Sequence, residues 1–171
     1  MFELIKLLFA ICLWRKSPED VPYSINLWRL LILSDISISF LVLNIRGDWL
    51  SALMQAIFGT ILISLFAWFS LLLAQKQARF YQTSSALLGT DTLISFCALP
   101  AIATFTLGQG GLLVLIFMTG IIIWQWLVIA HIIRAALMQS LSFSLSVAFL
   151  YLLSAYSLTA LLFPEVAGLN N

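Results

Sequence analysis

Five apolar runs, at about 27–45, 49–74, 83–106, 112–134 and 141–163, occupy most of the sequence and decide what it can fold into. Each is long enough to cross a bilayer, whose hydrocarbon core of ~30 Å takes roughly 20 residues of helix. Strands are excluded, because the runs lack the lumen-and-lipid alternation of a barrel and unpaired backbone cannot face lipid. The one alternating stretch, Ser140 to Ser146, is too short to change that. The expected fold class is therefore all-α: a polytopic transmembrane helical bundle with five membrane-spanning helices, forming a single membrane-embedded domain over 1–171.

Composition points the same way. Hydrophobic residues make up 63% and charged residues 9%, against about 25% charged in a soluble domain. With mean hydropathy +1.10, the surface has too few charges to face water, so the lipid bilayer is the expected solvent. A net charge of +1 on scattered basic residues excludes a nucleic-acid partner.

The segment at about 2–14 has a lysine and a short apolar stretch, as a signal peptide does. However, Trp14-Arg15-Lys16-Ser17-Pro18 offers no small-x-small cleavage site, and Ile11 is not the small residue a lipoprotein site wants before Cys12. Too short to span, it is expected to stay in the mature chain as a short interfacial or half-inserted helix. Breaks between the runs fall at Pro18-Glu19-Asp20 and Pro22, Arg46-Gly47-Asp48, Gln75 to Arg79, and Gly108, Gly110 and Gly111. Pro164-Glu165 should stop the last helix, leaving a short tail from Gly168 to Asn171.

Five crossings place Arg15, Lys16, Lys76, Arg79 and Arg134 on one side and Arg46 on the other. By the bias of basic residues toward the cytoplasm, the N-terminus should be cytoplasmic and the C-terminus outside. Trp14, Trp28 and Trp49 fall at the expected interfaces, and Trp68, Trp124 and Trp126 lie deeper.

Lipid gives apolar helices little drive to associate, so small residues that allow close approach matter. Ala52, Ala56, Thr60 and Ser64 recur every four residues in the second run as a packing ridge, for a neighbouring helix or for another chain, and Ser140, Ser144 and Ala148 make a shorter one. Residues 31–39 (LILSDISIS) also echo residues 87–95 (LLGTDTLIS), as a parallel repeat would.

Charge inside a membrane costs roughly 2.5–3.5 kcal/mol per residue on insertion scales, so each instance needs a reason. Asp35 and Asp91 lie within helix interiors, followed a turn later by Ser39 and Ser95, while Arg29, His131 and Arg134 sit near the expected cytoplasmic ends. Three readings stay open. The aspartates pair with Arg29, His131, Arg134 or hydroxyls and pin the bundle; they line a proton or ion pathway with His131; or they form a polar surface for a lipid headgroup or partner helix. P-loop, GxSxG, HExxH and CxxC motifs are missing, Gly89-Thr90-Asp91 is only a fragment of an intramembrane aspartyl-protease motif, and one histidine cannot build a metal cluster. No enzyme activity, cofactor or metal is expected, and Cys12 and Cys97 read as buried free thiols.

Five helices, a cytoplasmic N-terminus and very short loops resemble the Yip1-type membrane-domain family. Residues 19–24 (EDVPYS), the stretch from Gln82 to Pro100, and residues 126–131 (WLVIAH) leading through Gln139 to Ser142 are similar to phrases in its small bacterial relatives. The resemblance implies a bacterial inner-membrane location and a membrane architecture without a known reaction. The cytoplasmic extension of the eukaryotic, GTPase-binding members has no counterpart here. The expected function is a non-catalytic scaffold or accessory subunit that contacts other membrane chains or itself; the alternative is a small transporter or channel subunit with a polar pathway through Asp35 and Asp91.

Overall fold

Helix starts follow from local capping. Ser24 Oγ accepts from Leu27 N at 3.3 Å, the Asp48 carboxylate from Ser51 N at 3.4 Å, and Ser140 Oγ from Phe143 N at 3.4 Å. Each satisfies one of the first-turn N–H groups that a helix leaves unpaired. In the computed structural model, which describes residues 2–46, 48–108 and 111–163, these caps open α2 (Ile25–Leu43), α3 (Trp49–Leu73) and α6 (Leu141–Leu162). The other helices are α1 (Phe2–Cys12), α4 (Phe80–Thr106) and α5 (Leu112–Leu137). Left-handed residues follow four of the six: Trp14 (φ 58°), Gln75 (φ 54°), Gly108 (φ 74°) and Met138 (φ 56°) turn the chain out of α1, α3, α4 and α5.

Among the described residues the fold is all-helical, with no strand. Helices α2 to α6 are each long and apolar enough to cross a membrane, and their outward faces carry exposed leucine, isoleucine and phenylalanine. Boundaries differ from the sequence expectation by about a turn. α4 begins at Phe80 rather than 83, because Gln77–Arg79 is a 3₁₀ turn that feeds straight into it. α5 continues past Arg134 to Leu137, since a cation in the last turn suits the negative end of the helix dipole.

α4 is the central helix. It packs on α1, α2, α3 and α5, and every residue from 83 to 90 is buried. That explains the serines, threonines and glycine in this stretch: small side chains let four neighbours approach at once. The ridge on α3 faces inward too, with Ala52, Ala56 and Thr60 buried and Ser64 half-buried. On α6, Ser144 and Ala148 are fully buried while Ser140 is exposed.

One end of the bundle gathers the basic residues. Arg79 forms an ion pair with Glu19, Lys76 Nζ donates to the Leu137 carbonyl at 3.0 Å, Gln82 Nε2 donates to the Val21 carbonyl at 3.1 Å, and His131 Nε2 lies 3.0 Å from the Lys16 carbonyl. Residues 15–22, 76–82 and 131–138 thus share this end, and the 3₁₀ turn Asn44–Arg46 lies at the opposite one.

The short helix expected to be interfacial or half-inserted forms α1, which packs against the bundle. α1 docks on its flank, with Leu8 against Gly89 and the Cys12 carbonyl accepting from Trp124 Nε1 of α5 at 3.0 Å. Gly89 is about 14 Å from the first residue of α4 at 1.5 Å per residue. The reason is steric: Gly89 leaves a notch that Leu8 fills, since a Cβ there would sit 2.6–2.7 Å from the Leu8 methyls. The Pro164-Glu165 stop, the tail to Asn171 and the turn glycines Gly47 and Gly110 lie outside the described residues.

Candidate functional site

The two sequence segments that echo each other lie side by side. Trp28 Nε1 of α2 donates to Ser84 Oγ of α4 at 3.0 Å, and seven residues along each helix Asp35 and Asp91 line the same cleft. Seven residues are nearly two full turns, so both pairs fall on one face of each helix. α2 and α4 therefore run parallel and in register. The returning helices then supply donors in the same pattern. Thr60 of α3 donates to Asp35 Oδ2 at 2.7 Å, and Gln125 Nε2 of α5 donates to Asp91 Oδ1 at 2.7 Å. A cross-link within the register comes from Thr92 Oγ1, 3.3 Å from Asp35 Oδ1. Four helices are tied together through two carboxyl groups.

Asp35 is 1% exposed, and Asp35 and Asp91 line the same cleft. Two bare charges side by side away from water would repel strongly. The threonines fit either charge state. Thr60 Oγ1 also lies 3.0 Å from its own-helix carbonyl at Ala56, and Thr92 Oγ1 lies 2.8 Å from that of Leu88. Each hydroxyl has one hydrogen and two acceptors. Turned toward Asp35, it donates to a carboxylate; turned toward its own helix, it presents a lone pair to a protonated acid. The hydroxyl hydrogens can therefore reorient as the charge changes.

The pair stands in the wall of a cleft of about 210 Å³. Ser39, Gln55, Gly59, Tyr151, Tyr156 and Thr159 line it together with both aspartates. These positions run from the level of the pair to the last residues of α2 and α6 and the first turns of α3, so the cleft extends toward the end that carries residues 44–46. At Gly59 an added Cβ would meet nothing within 4 Å, because the cleft lies there. In the other direction α4 is buried continuously from Thr90 back to Thr83, and no cleft-lining residue lies beyond.

No protein-family model, curated protein or solved structure matches this chain.

Of the sequence-derived candidates, Asp35, Asp91 and Ser39 come together. Ser95 is absent from the cleft lining. The basic residues do not reach the aspartates. Arg29 and Arg134 are exposed, and His131 is engaged with the Lys16 carbonyl. The spacing explains it: Arg29 is six residues from Asp35 and His131 six from Gln125, about 240° around a helix of 3.6 residues per turn. Among the described residues no group of three or more histidine, cysteine or acidic side chains could hold a metal ion. Sequence reasoning missed Gln125, Thr92, Gln55, Tyr151, Tyr156 and Thr159, and took Thr60 for a packing residue only. Gln125 had a usable signal, as the one carboxamide in the apolar run of α5.

Proposed function

We propose that the protein is a non-catalytic integral membrane subunit whose Asp35–Asp91 pair binds and releases one proton from a single side of the membrane. The observation that carries this reading is that two aspartates on adjacent helices, each accepting a hydrogen bond from a neighbouring helix, share one cleft that extends toward one end of the bundle only. A metal or alkali ion is disfavoured by the donors: the Gln125 amide and the Thr60 hydroxyl point hydrogens at the carboxylates rather than lone pairs into a cage. A through-going pathway is disfavoured by the buried run 83–90 on the far side of the pair. Protonation of such a pair changes the polar links among α2, α3, α4 and α5, which suits an accessory subunit whose packing follows pH, in contact with other chains in a bacterial inner membrane. The basic end is the cytoplasmic one by the positive-inside bias, so the cleft faces outward.

Infrared difference spectroscopy on protein in lipid, between acidic and alkaline pH, tests the reading. The expected result is one protonated-carboxyl band that titrates in the native protein and is lost in both Asp35→Asn and Asp91→Asn. Absence of a titrating band would make the pair purely structural.

A further inference from the structure

The bundle is open on the side between α3 and α6. Helix α3 packs mainly on α2 and α4 and helix α6 on α5, and the two touch each other sparsely. Between them lies a groove of about 620 Å³ walled by apolar side chains, among them Phe69, Leu73, Phe143, Val147 and Leu150. Its inner end is the stack of Phe66 on Tyr151, with ring centroids 4.1 Å apart at 21°. Tyr151 is also a wall of the carboxylate cleft, so this aromatic pair separates the two cavities.

The mouth of the groove is chemically different. Ala74, Leu137 and Gln139 line it at the basic end, and Lys76 Nζ donates to the Leu137 carbonyl at 3.0 Å, leaving ammonium hydrogens to spare. Arg134 is exposed and sits one turn before Leu137 on the same face of α5. The first turn of α6, with its positive dipole end, begins beside Gln139. An apolar slot with a cationic mouth complements a molecule with an apolar tail and an anionic head.

Length selects between occupants. From Ala74 to Phe66 the groove runs about 12 Å along α3, and a shallower extension carries the seam to Leu62, about 18 Å in all at 1.5 Å per residue. The hydrocarbon core is ~30 Å thick, so the groove matches one leaflet, whereas a spanning partner helix needs the whole depth. We infer that the α3–α6 groove binds an anionic phospholipid of the leaflet at the basic end, with an acyl chain between Phe69 and Val147 and the headgroup phosphate at Lys76 and Arg134.

Native mass spectrometry of the delipidated full-length protein, titrated with dioleoyl phosphatidylglycerol or phosphatidylcholine, tests the assignment. Phosphatidylglycerol should bind more tightly. Lys76→Gln should weaken it about fivefold, the factor given by ~1 kcal/mol per basic residue near anionic lipid, while Lys76→Arg should retain it. Val147→Trp, which fills the slot, should lose both lipids, and Val147→Ala should keep them. Soluble glycerol phosphate should not compete. Equal binding of the two lipids, full competition by glycerol phosphate, or unchanged binding in Val147→Trp would each overturn the proposal, as would a second protein copy rather than lipid bound to the native chain.

Discussion

The Thr60 hydroxyl has two acceptors within reach, Asp35 Oδ2 at 2.7 Å and the Ala56 carbonyl at 3.0 Å, and one hydrogen to give. Replacing it by valine keeps the shape and removes the donor. A buried hydrogen bond to a charged group contributes about 1.5–3 kcal/mol, so Thr60→Val should lower the unfolding free energy in detergent by about that much, and Thr60→Ser should recover most of it. Ser85 is the contrasting case. Its Oγ is the one buried side-chain polar atom without a hydrogen-bond partner among the described residues. A desolvated hydroxyl with no partner costs ~1–3 kcal/mol, so Ser85→Ala should leave thermal stability unchanged or raise it. A clear loss would mean that Ser85 has a partner in the membrane. At this scale the sequence was half legible. Aspartates stand out in apolar text because their insertion is costly, whereas Thr60, Thr92 and Thr159 look like ordinary small helix residues. Which of them turns toward a carboxylate depends on helix rotation, and the weak amphipathicity of these runs does not encode it.

Among the elements, α1 is the one whose placement the sequence least determined. Its length ruled out a span, and the docking on α4 depends on one notch at Gly89, which sequence alone reads as an unfavourable residue in mid-helix. Docking buries Cys12 to 1% exposure, whereas Cys97, expected to be buried as well, is exposed on the outer surface of α4; burial pushes the Cys12 thiol up to about 12. The thiolate is the reactive form, so Cys12 should resist a membrane-permeant maleimide at neutral pH, and its reaction should rise only as pH approaches that value. Gly89→Ala brings a methyl against the flexible end of Leu8 and should be absorbed. Gly89→Leu should displace α1 and make Cys12 react quickly at neutral pH, measured in a Cys97→Ser background. An unreactive Cys12 in Gly89→Leu would show that Leu8 can leave the notch without undocking the helix. The spanning helices were legible to within about a turn, because length, hydropathy and capping residues such as Ser24 and Ser140 fix them locally.

On the scale of the molecule, α2 with α3 and α4 with α5 repeat one arrangement. Each outgoing helix carries an aspartate, and each returning helix brings a donor to it, Thr60 in one case and Gln125 in the other. The echo between 31–39 and 87–95 marked the two outgoing helices in the sequence, yet nothing there said that they lie in register with the aspartates facing. That follows from central packing of α4, which depends on all four of its neighbours. α6 stands outside the repeat and closes the polar cleft through Tyr151, Tyr156 and Thr159. The central claim is that water reaches the carboxylate pair from one side only, the side of residues 44–46. Gly59 tests it directly, since it lines the cleft and has room for a side chain. In a background with Cys12 and Cys97 replaced, Gly59→Cys in oriented proteoliposomes should react with a charged, impermeant maleimide from the face opposite Lys76 and Arg79. Reaction from the basic face, or from neither face, would contradict the account.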